Sequence, residues 1–202
     1  FRFLLIDVSR EPGVCLNWPL QAKDKDFDLR FARHPTGTLS NSDLTLEVKD
    51  AMRDDKNQPY AETSVDSFDF GGRATLRAIC VLADGREVEG TLVGTNDVPR
   101  LPKMSSPGWI ADNWKKEKKV SVLADDDDNE AVSGQIYTGD GYTLYEEYRG
   151  WAEAGRHVEG DPLKKDLFVM NKIGADAIGG FRLFERVSKV RVFHKLRPSE
   201  MV

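Results

Sequence analysis

Acidic side chains are concentrated between residues 125 and 148, next to glycines and a short helical pattern. An unbroken acidic run is formed by Asp125, Asp126, Asp127 and Asp128, and it is followed by the motif Gly139-Asp140-Gly141-Tyr142-Thr143-Leu144-Tyr145-Glu146-Glu147-Tyr148. Carboxylate oxygens suit hard divalent cations, and Ca²⁺ takes roughly 6 to 8 oxygen ligands. This density of carboxylates therefore predicts a divalent-cation site, and we expect the ion to be Ca²⁺.

The spacing of the motif matches the second half of an EF-hand loop. Such a loop has a glycine near its middle and a bidentate glutamate at its last position. Aligning Gly141 with that glycine makes Asp140 a side-chain ligand and Tyr142 a backbone carbonyl ligand. Glu147 then takes the bidentate position, so these residues are predicted to bind the ion.

The first half of the loop is not filled by this alignment. Its first two ligand positions fall on Ile136 and Thr138, so the missing oxygens are expected from the run Asp125 to Asp128. Two structural alternatives stay open. A run of aspartates often forms only a solvated acidic loop, and Gly141 can be an ordinary turn residue before a helix that exposes Glu147.

Composition and charge narrow the classes of function. The chain of 202 residues is 40% hydrophobic and 31% charged, with a formal net charge of -5. No apolar stretch approaches the ~20 residues that a membrane-spanning helix needs. The negative net charge argues against nonspecific nucleic-acid binding, which depends on basic surface. A local basic face at residues 115–119 favours a solvated helix or self-association.

The cysteines and the first residues bear on the cellular compartment. Cys15 and Cys80 could form a disulfide between two sheets, as in a secreted β-sandwich, or they could be two small buried apolar side chains. The chain begins at Phe1 and continues directly into a strand-like sequence over residues 1–8. A processed secreted protein would begin in this way, and so would a fragment of a longer chain. An extracellular or cell-surface location is predicted.

Residues 1–98 are predicted to form an immunoglobulin-like β-sandwich. Short segments of alternating polarity recur with turn sequences between them, which is typical of a sandwich. The dipeptide Asp84-Gly85, flanked by two such segments, is a strong hairpin signal. The predicted strands cover residues 26–32, 44–49, 63–70, 75–82 and 88–93.

The rest of the chain is predicted to hold a calcium-binding helix-loop segment, residues 99–150, and a small α+β unit, residues 151–202. A proline-containing linker covers residues 94–107, and helical spacing follows over 109–117 and 143–149. The last segment is predicted to begin with a hairpin over 151–158 that turns at Ala154-Gly155. A strand over 166–170, a helix over 175–187 and a strand over 190–196 follow. This order suggests an α+β unit of β-grasp-like type, and the chain as a whole is predicted to be β-rich α+β.

The segments Leu101-Pro102-Lys103 and Trp109-Ile110-Ala111-Asp112-Asn113-Trp114, together with the motif at 139–150, resemble bacterial secreted and surface proteins. In those proteins an immunoglobulin-like domain leads into an Asp-rich calcium segment similar to thrombospondin type 3 and dockerin-like repeats. The chain also resembles extracellular calcium-stabilised nanofibre subunits. The resemblance implies two calcium sites. Ser105, Ser106 and Pro107 replace the acidic ligands of the first, which leaves Asp112 as its retained carboxylate.

Motifs for the common enzyme classes are missing from the sequence. The three histidines are scattered and form no His-Glu-x-x-His pair, so a zinc protease is not indicated. The serines lack a Gly-x-Ser-x-Gly elbow, and neither Gly71-Gly72 nor Gly179-Gly180 continues into a phosphate-binding loop. A non-enzymatic protein is therefore predicted, although paired carboxylates of glycosidase type depend on spatial position and leave no sequence pattern.

We expect a structural protein that is stabilised by Ca²⁺ and associates with itself in a filament or surface layer. Residues 1–8 are the predicted docking strand, with an ordinary first strand as the alternative. A carbohydrate- or surface-binding module is the competing function, and an accessory domain of a larger secreted hydrolase is a third. The aromatic residues available for a binding face, or equally for a small core, are Trp109, Trp114, Tyr142, Tyr145, Tyr148 and Trp151.

Overall fold

Two units make up the described part of the chain. The computed structural model describes residues 1–18, 26–105, 108–121 and 140–201. The first unit comprises Phe1–Arg10 and Asp26–Lys103, and the second comprises the described residues within Glu11–Lys25 and Met104–Val202. The second unit thus contains the described residues from 104 onwards of the two segments distinguished by sequence at 99–150 and 151–202, and it also includes residues 11–18.

The first unit is built on a six-stranded antiparallel sheet. The described strands of the whole first unit are β1 (Arg2–Ile6), β2 (Leu29–Phe31), β3 (Gly37–Leu39), β4 (Thr45–Val48), β5 (Met52–Arg53), β6 (Pro59–Tyr60), β7 (Val65–Ser67), β8 (Ala74–Val81), β9 (Glu87–Glu89) and β10 (Arg100–Leu101). The order in the large sheet is β10-β8-β1-β4-β3, and β9 also pairs with β8. Strands β2 and β7 form one two-stranded ribbon, and β5 and β6 form another.

Alternate side chains of β1, β2 and β4 point into a common hydrophobic core. Phe3 and Leu5 of β1 are 7% and 4% exposed, while their neighbours along the strand are half-buried. This is the period of two expected of a strand with one face in a core. Strands β2 and β4 alternate in the same way. They add Leu29, Phe31, Leu46 and Val48 to the core, and β8 adds Ala74.

The hairpin predicted at Asp84-Gly85 is confirmed. Strands β8 and β9 pair antiparallel, with Cys80 opposite Val88. The backbone of Gly85 has a φ of 86°, a conformation that glycine adopts without a steric penalty. Its N–H donates to the Leu82 carbonyl oxygen at 2.9 Å, so the turn closes where the sequence indicated.

Strand β1 lies inside its own sheet, so the docking-strand prediction is wrong and the ordinary first strand is correct. Phe3 lies opposite Leu46 of β4 on one side and opposite Ala78 of β8 on the other. The terminal amine of Phe1 also donates to the Val48 carbonyl oxygen at 2.8 Å. With both of its edges paired, β1 has no unpaired edge left for a second chain.

The second unit combines short helices with two small sheets. Its elements are α1 (Asp112–Lys118), α2 (Leu144–Arg149), β11 (Trp151–Glu153), β12 (Arg156–Val158), β13 (Asp166–Phe168), α3 (Ile178–Ser188) and β14 (Arg191–Phe193), with 3₁₀ turns at Gly174–Ala177 and Pro198–Glu200. Strands β11 and β12 form the predicted hairpin around Ala154-Gly155. Strands β13 and β14 pair in parallel, with α3 as the connection between them.

The coarse class predicted from sequence, β-rich α+β, is confirmed by these elements. In the described part of the chain β11–β12 and β13–β14 are separate sheets, so the single mixed sheet of a β-grasp unit is not formed. Cys15 and Cys80 are free thiols. Among the described residues, no helix has the length and apolar character needed to cross a bilayer.

Deleting residues 1–8 is expected to unfold the first unit. The deletion removes an interior strand and the buried Phe3 and Leu5. Loss of one large core side chain costs about 2–5 kcal/mol, against a total stability of about 5–15 kcal/mol. Circular dichroism melting should show loss of a cooperative transition, and size-exclusion chromatography should show aggregation. A truncated protein that stays folded and monomeric would contradict the interior placement of β1.

Candidate metal centre

Three carboxylates converge in the second unit. One oxygen from each of Asp140, Glu147 and Asp166 lies within 4.8 Å of the other two. Glu147 is fully buried and Asp166 is 7% exposed, while Asp140 is half-buried. The three residues come from the loop before α2, from α2 itself and from the start of β13, so elements that are distant in sequence meet at this cluster.

A tight turn and a helix cap fix the position of Asp140. Gly141 has a φ of 103°, which a residue with a Cβ rarely adopts. The Asp140 Oδ1 accepts a hydrogen bond from the Tyr142 N–H at 3.1 Å. Helix α2 then begins with a capping box, in which the Thr143 Oγ1 accepts from the Glu146 N–H at 3.1 Å and the Glu146 Oε2 accepts from the Thr143 N–H at 2.8 Å. The cap therefore sets where Glu147 falls on the helix.

Glu147 is held by the close approach of another backbone segment. A Cβ added to Gly160 would lie 2.5 Å from the Glu147 Cβ, so only glycine fits at this position without a shift of the backbone. The Gly160 N–H donates to the Glu147 carbonyl oxygen at 3.0 Å. The segment after β12 thus closes over α2 and buries the Glu147 side chain.

Asp166 was missed by the sequence reasoning, and it joins the cluster through the first residue of β13. Its backbone N–H donates to the Asp140 Oδ2, which links the loop before α2 to the strand. Within β13 Asp166 lies in phase with the half-buried Phe168, whereas Leu167 between them is 40% exposed. Leu167 and Val169 are apolar as well, so the sequence does not show which phase of this strand is buried.

The donor set fits a hard divalent cation. Three carboxylates this close repel one another unless a cation or protons compensate their charge, and burial strengthens that repulsion. All the side-chain donors are oxygens, which suit Ca²⁺ or Mg²⁺ better than the metals that prefer nitrogen or sulfur ligands. Ca²⁺ binds oxygen at roughly 2.3–2.6 Å, so ligands on its opposite sides are about 5 Å apart. The spacing of the three carboxylates is compatible with that geometry.

The other residues predicted as ligands are placed differently. Asp125, Asp126, Asp127 and Asp128, together with Ile136 and Thr138, lie outside the described residues. Asp112 is not a member of the cluster: its Oδ1 accepts from the Ser105 N–H at 2.8 Å and its Oδ2 from the Ser105 Oγ at 3.2 Å. This carboxylate closes the turn that leads into α1, and the carbonyl role assigned to Tyr142 stays a prediction.

Aromatic rings pack beside the carboxylates and form a core. The Tyr142 ring contacts Trp151 at a centroid distance of 5.0 Å and Phe168 at 5.4 Å. Phe168 in turn stacks on Phe193 of β14 at 4.5 Å. Burial raises the pKa of the Tyr142 hydroxyl, and the charges of Asp140, Glu146 and Asp166 raise it further. The ring environment is therefore both apolar and electrostatically negative.

Two tryptophans of the predicted aromatic binding face are buried. Trp114 and Trp151 are 6% and 4% exposed, whereas Trp109 is 41% exposed. Trp114 packs edge-on to Tyr148 at 5.4 Å and belongs to a small cluster with Ile110. Two of the three tryptophans considered for a glycan platform are thus core residues, which favours the structural alternative.

Comparison with known proteins finds no matching family model, no matching curated protein and no matching solved structure. The resemblance to secreted calcium-binding proteins therefore stays a prediction. The function has to be inferred from the residues and their geometry.

Replacing Gly160 by alanine is expected to destabilise the second unit, because the added methyl group would overlap the Glu147 Cβ. Overpacking of this kind costs about 1–3 kcal/mol. Thermal melting should therefore show a clear fall in Tm for Gly160→Ala.

The matched control is Gly179→Ala in α3, where an added Cβ meets nothing within 4 Å. Alanine is the better helix former by up to about 1 kcal/mol, so this variant should melt at the same temperature as the wild type or slightly higher. Equal Tm values for the two variants would show that Gly160 does not pack closely against Glu147.

Proposed function

We propose that the protein is a non-enzymatic, extracellular structural protein whose second unit is stabilised by Ca²⁺ bound to Asp140, Glu147 and Asp166. One observation carries the proposal: three carboxylates from separate elements lie within 4.8 Å of one another, and two of them are buried. A cation at their centre would convert mutual repulsion into attraction. It would also join the loop before α2, helix α2 and strand β13.

The three side chains supply part of a calcium coordination sphere. Three carboxylates offer at most six oxygens, and Ca²⁺ takes roughly 6 to 8. Water, the Tyr142 carbonyl oxygen and the acidic run Asp125 to Asp128 are the further donors suggested by the sequence. A metal ion that binds only the folded chain adds its binding free energy to the stability of the fold. An ion at this position would stabilise a unit that has short helices and little regular structure.

Burial favours a structural role for this ion over a catalytic one. A catalytic metal keeps an open coordination position for substrate, whereas a structural metal is enclosed by protein ligands. Glu147 is fully buried and Asp166 nearly so, which leaves little room for a substrate beside them. This supports the non-enzymatic part of the proposal.

The first unit would act as an immunoglobulin-like support. Phe3 of the large sheet packs against Phe31 of the β2–β7 ribbon at a centroid distance of 6.4 Å, as expected if the two layers enclose one core. Self-association would have to use an edge strand. Strand β3 ends the sheet order on one side, and an unpaired edge can add a strand from another chain.

Calcium is expected to raise the melting temperature of the full chain. An ion that binds only the native state stabilises it by RT ln(1 + [L]/Kd), about 2.7 kcal/mol at a hundredfold excess over Kd. Differential scanning calorimetry in calcium and in chelator measures the effect. Mg²⁺ should give a smaller rise, because it demands a tighter octahedral geometry. Identical melting temperatures in calcium and chelator would remove the proposal.

The variants Glu147→Gln and Asp166→Asn should each lose most of the calcium-dependent rise in Tm, because each removes a ligand charge while keeping the shape of the side chain. Glu146→Gln is the matched control from the adjacent position. Its side chain accepts the Thr143 N–H in the capping box, and glutamine preserves that box, so the calcium response should be retained. An equal response in all three variants would refute the ligand assignment.

A further inference from the structure

A cavity in the second unit is lined by aromatic rings and carboxylates. Its volume is about 240 Å³, and its walls include Tyr142, Trp151, Phe168, Glu146 and Glu200. None of the described residues that line it is lysine, arginine or histidine. Cavities for drug-sized ligands are larger, roughly 300–1,000 Å³, so this one suits a single small organic group.

The three rings form a corner. Tyr142 stands nearly perpendicular to both of its neighbours, at 72° to Trp151 and 75° to Phe168. Trp151 and Phe168 are tilted by 54° with their centroids 4.9 Å apart. The face of each aromatic ring carries partial negative charge, and aromatic rings are the walls that surround quaternary ammonium groups in proteins.

Two carboxylates add full negative charge to this aromatic corner. The Glu146 Oε2 accepts from the Thr143 N–H, and no other hydrogen bond to this carboxylate occurs among the described residues. Glu200 is 5% exposed, and its oxygens are surrounded by backbone donors in place of water. These donors are the N–H groups of Ala154, Gly155 and Arg197.

We propose that this cavity binds a small organic ammonium ion. The ring faces would contact its alkyl groups and the carboxylates would compensate its charge. A bare metal ion does not fit this chemistry, since aromatic walls cannot replace its water ligands. An anion would be repelled by Glu146 and Glu200, and a neutral apolar group would gain nothing from either charge.

The ammonium cavity is distinct from the candidate metal centre. None of the three clustered carboxylates lines it, and Glu146 and Glu147 project from neighbouring positions of α2 to different environments. Tyr142 belongs to both neighbourhoods, with its backbone next to Asp140 and its ring in the cavity wall. Ammonium binding therefore does not require Ca²⁺ at the metal centre.

Isothermal titration calorimetry of the full chain with choline and with its neutral isostere 3,3-dimethylbutan-1-ol tests the proposal, with calcium present throughout. The two probes have the same shape and differ in charge. Choline is expected to bind about tenfold more tightly, because only the cation gains from the ring faces and the carboxylates. Equal affinities, or no heat from choline, would overturn the proposal.

Two charge variants complete the test. Glu146→Gln keeps the capping box and should weaken choline binding about fivefold while leaving the melting temperature near that of the wild type. Glu117→Gln makes the same charge change at an exposed position of α1, outside the cavity, and should leave choline binding unchanged. Equal choline affinity in Glu146→Gln and the wild type, or equal losses in both variants, would show that the cavity is not the binding site.

Discussion

Repulsion among three carboxylates is the constraint around which the second unit is arranged. Glu147 is fully buried, and Asp140 and Asp166 bring two further negative charges within 4.8 Å of it. Like charges this close repel one another, and burial strengthens the repulsion. The proposed Ca²⁺ would compensate these charges and would join α2 to β13.

The surrounding contacts keep this cluster in place through the backbone. Gly160 closes over Glu147, and the Asp166 N–H donates to Asp140. Asn17 adds contacts from the segment 11–18. Its side-chain amide donates to the carbonyl oxygens of Ala152 and Glu200 at 3.1 and 2.8 Å, and its Oδ1 accepts from the Ala152 N–H at 2.6 Å. The Asn17 side chain thus forms hydrogen bonds with the backbone of β11 of the kind that a neighbouring strand would form. A unit with such short elements depends on these specific contacts more than on a large core.

Local sequence rules predicted the local elements well. The turns at Asp84-Gly85 and Ala154-Gly155 and the helical spacing of α2 depend on residues close in sequence. The motif also identified Asp140 and Glu147, which lie within one turn and one helix. These features could be predicted because their chemistry is set by neighbours along the chain.

Features that depend on distant residues could not be predicted in the same way. Strand β1 has the composition of an edge strand or of an interior one, and only its pairing with β4 and β8 decides between them. Asp166 reaches the metal centre because β13 folds beside the loop of Asp140, and no spacing rule connects positions so far apart. The inclusion of residues 11–18 in the second unit has the same origin.

Anomalous X-ray diffraction from crystals grown with calcium would locate the ion. We expect an anomalous difference peak with carboxylate oxygens of Asp140, Glu147 and Asp166 at roughly 2.3–2.6 Å from it. A map with no peak at this position, or a calcium ion whose ligands do not include Glu147, would contradict the proposed calcium site.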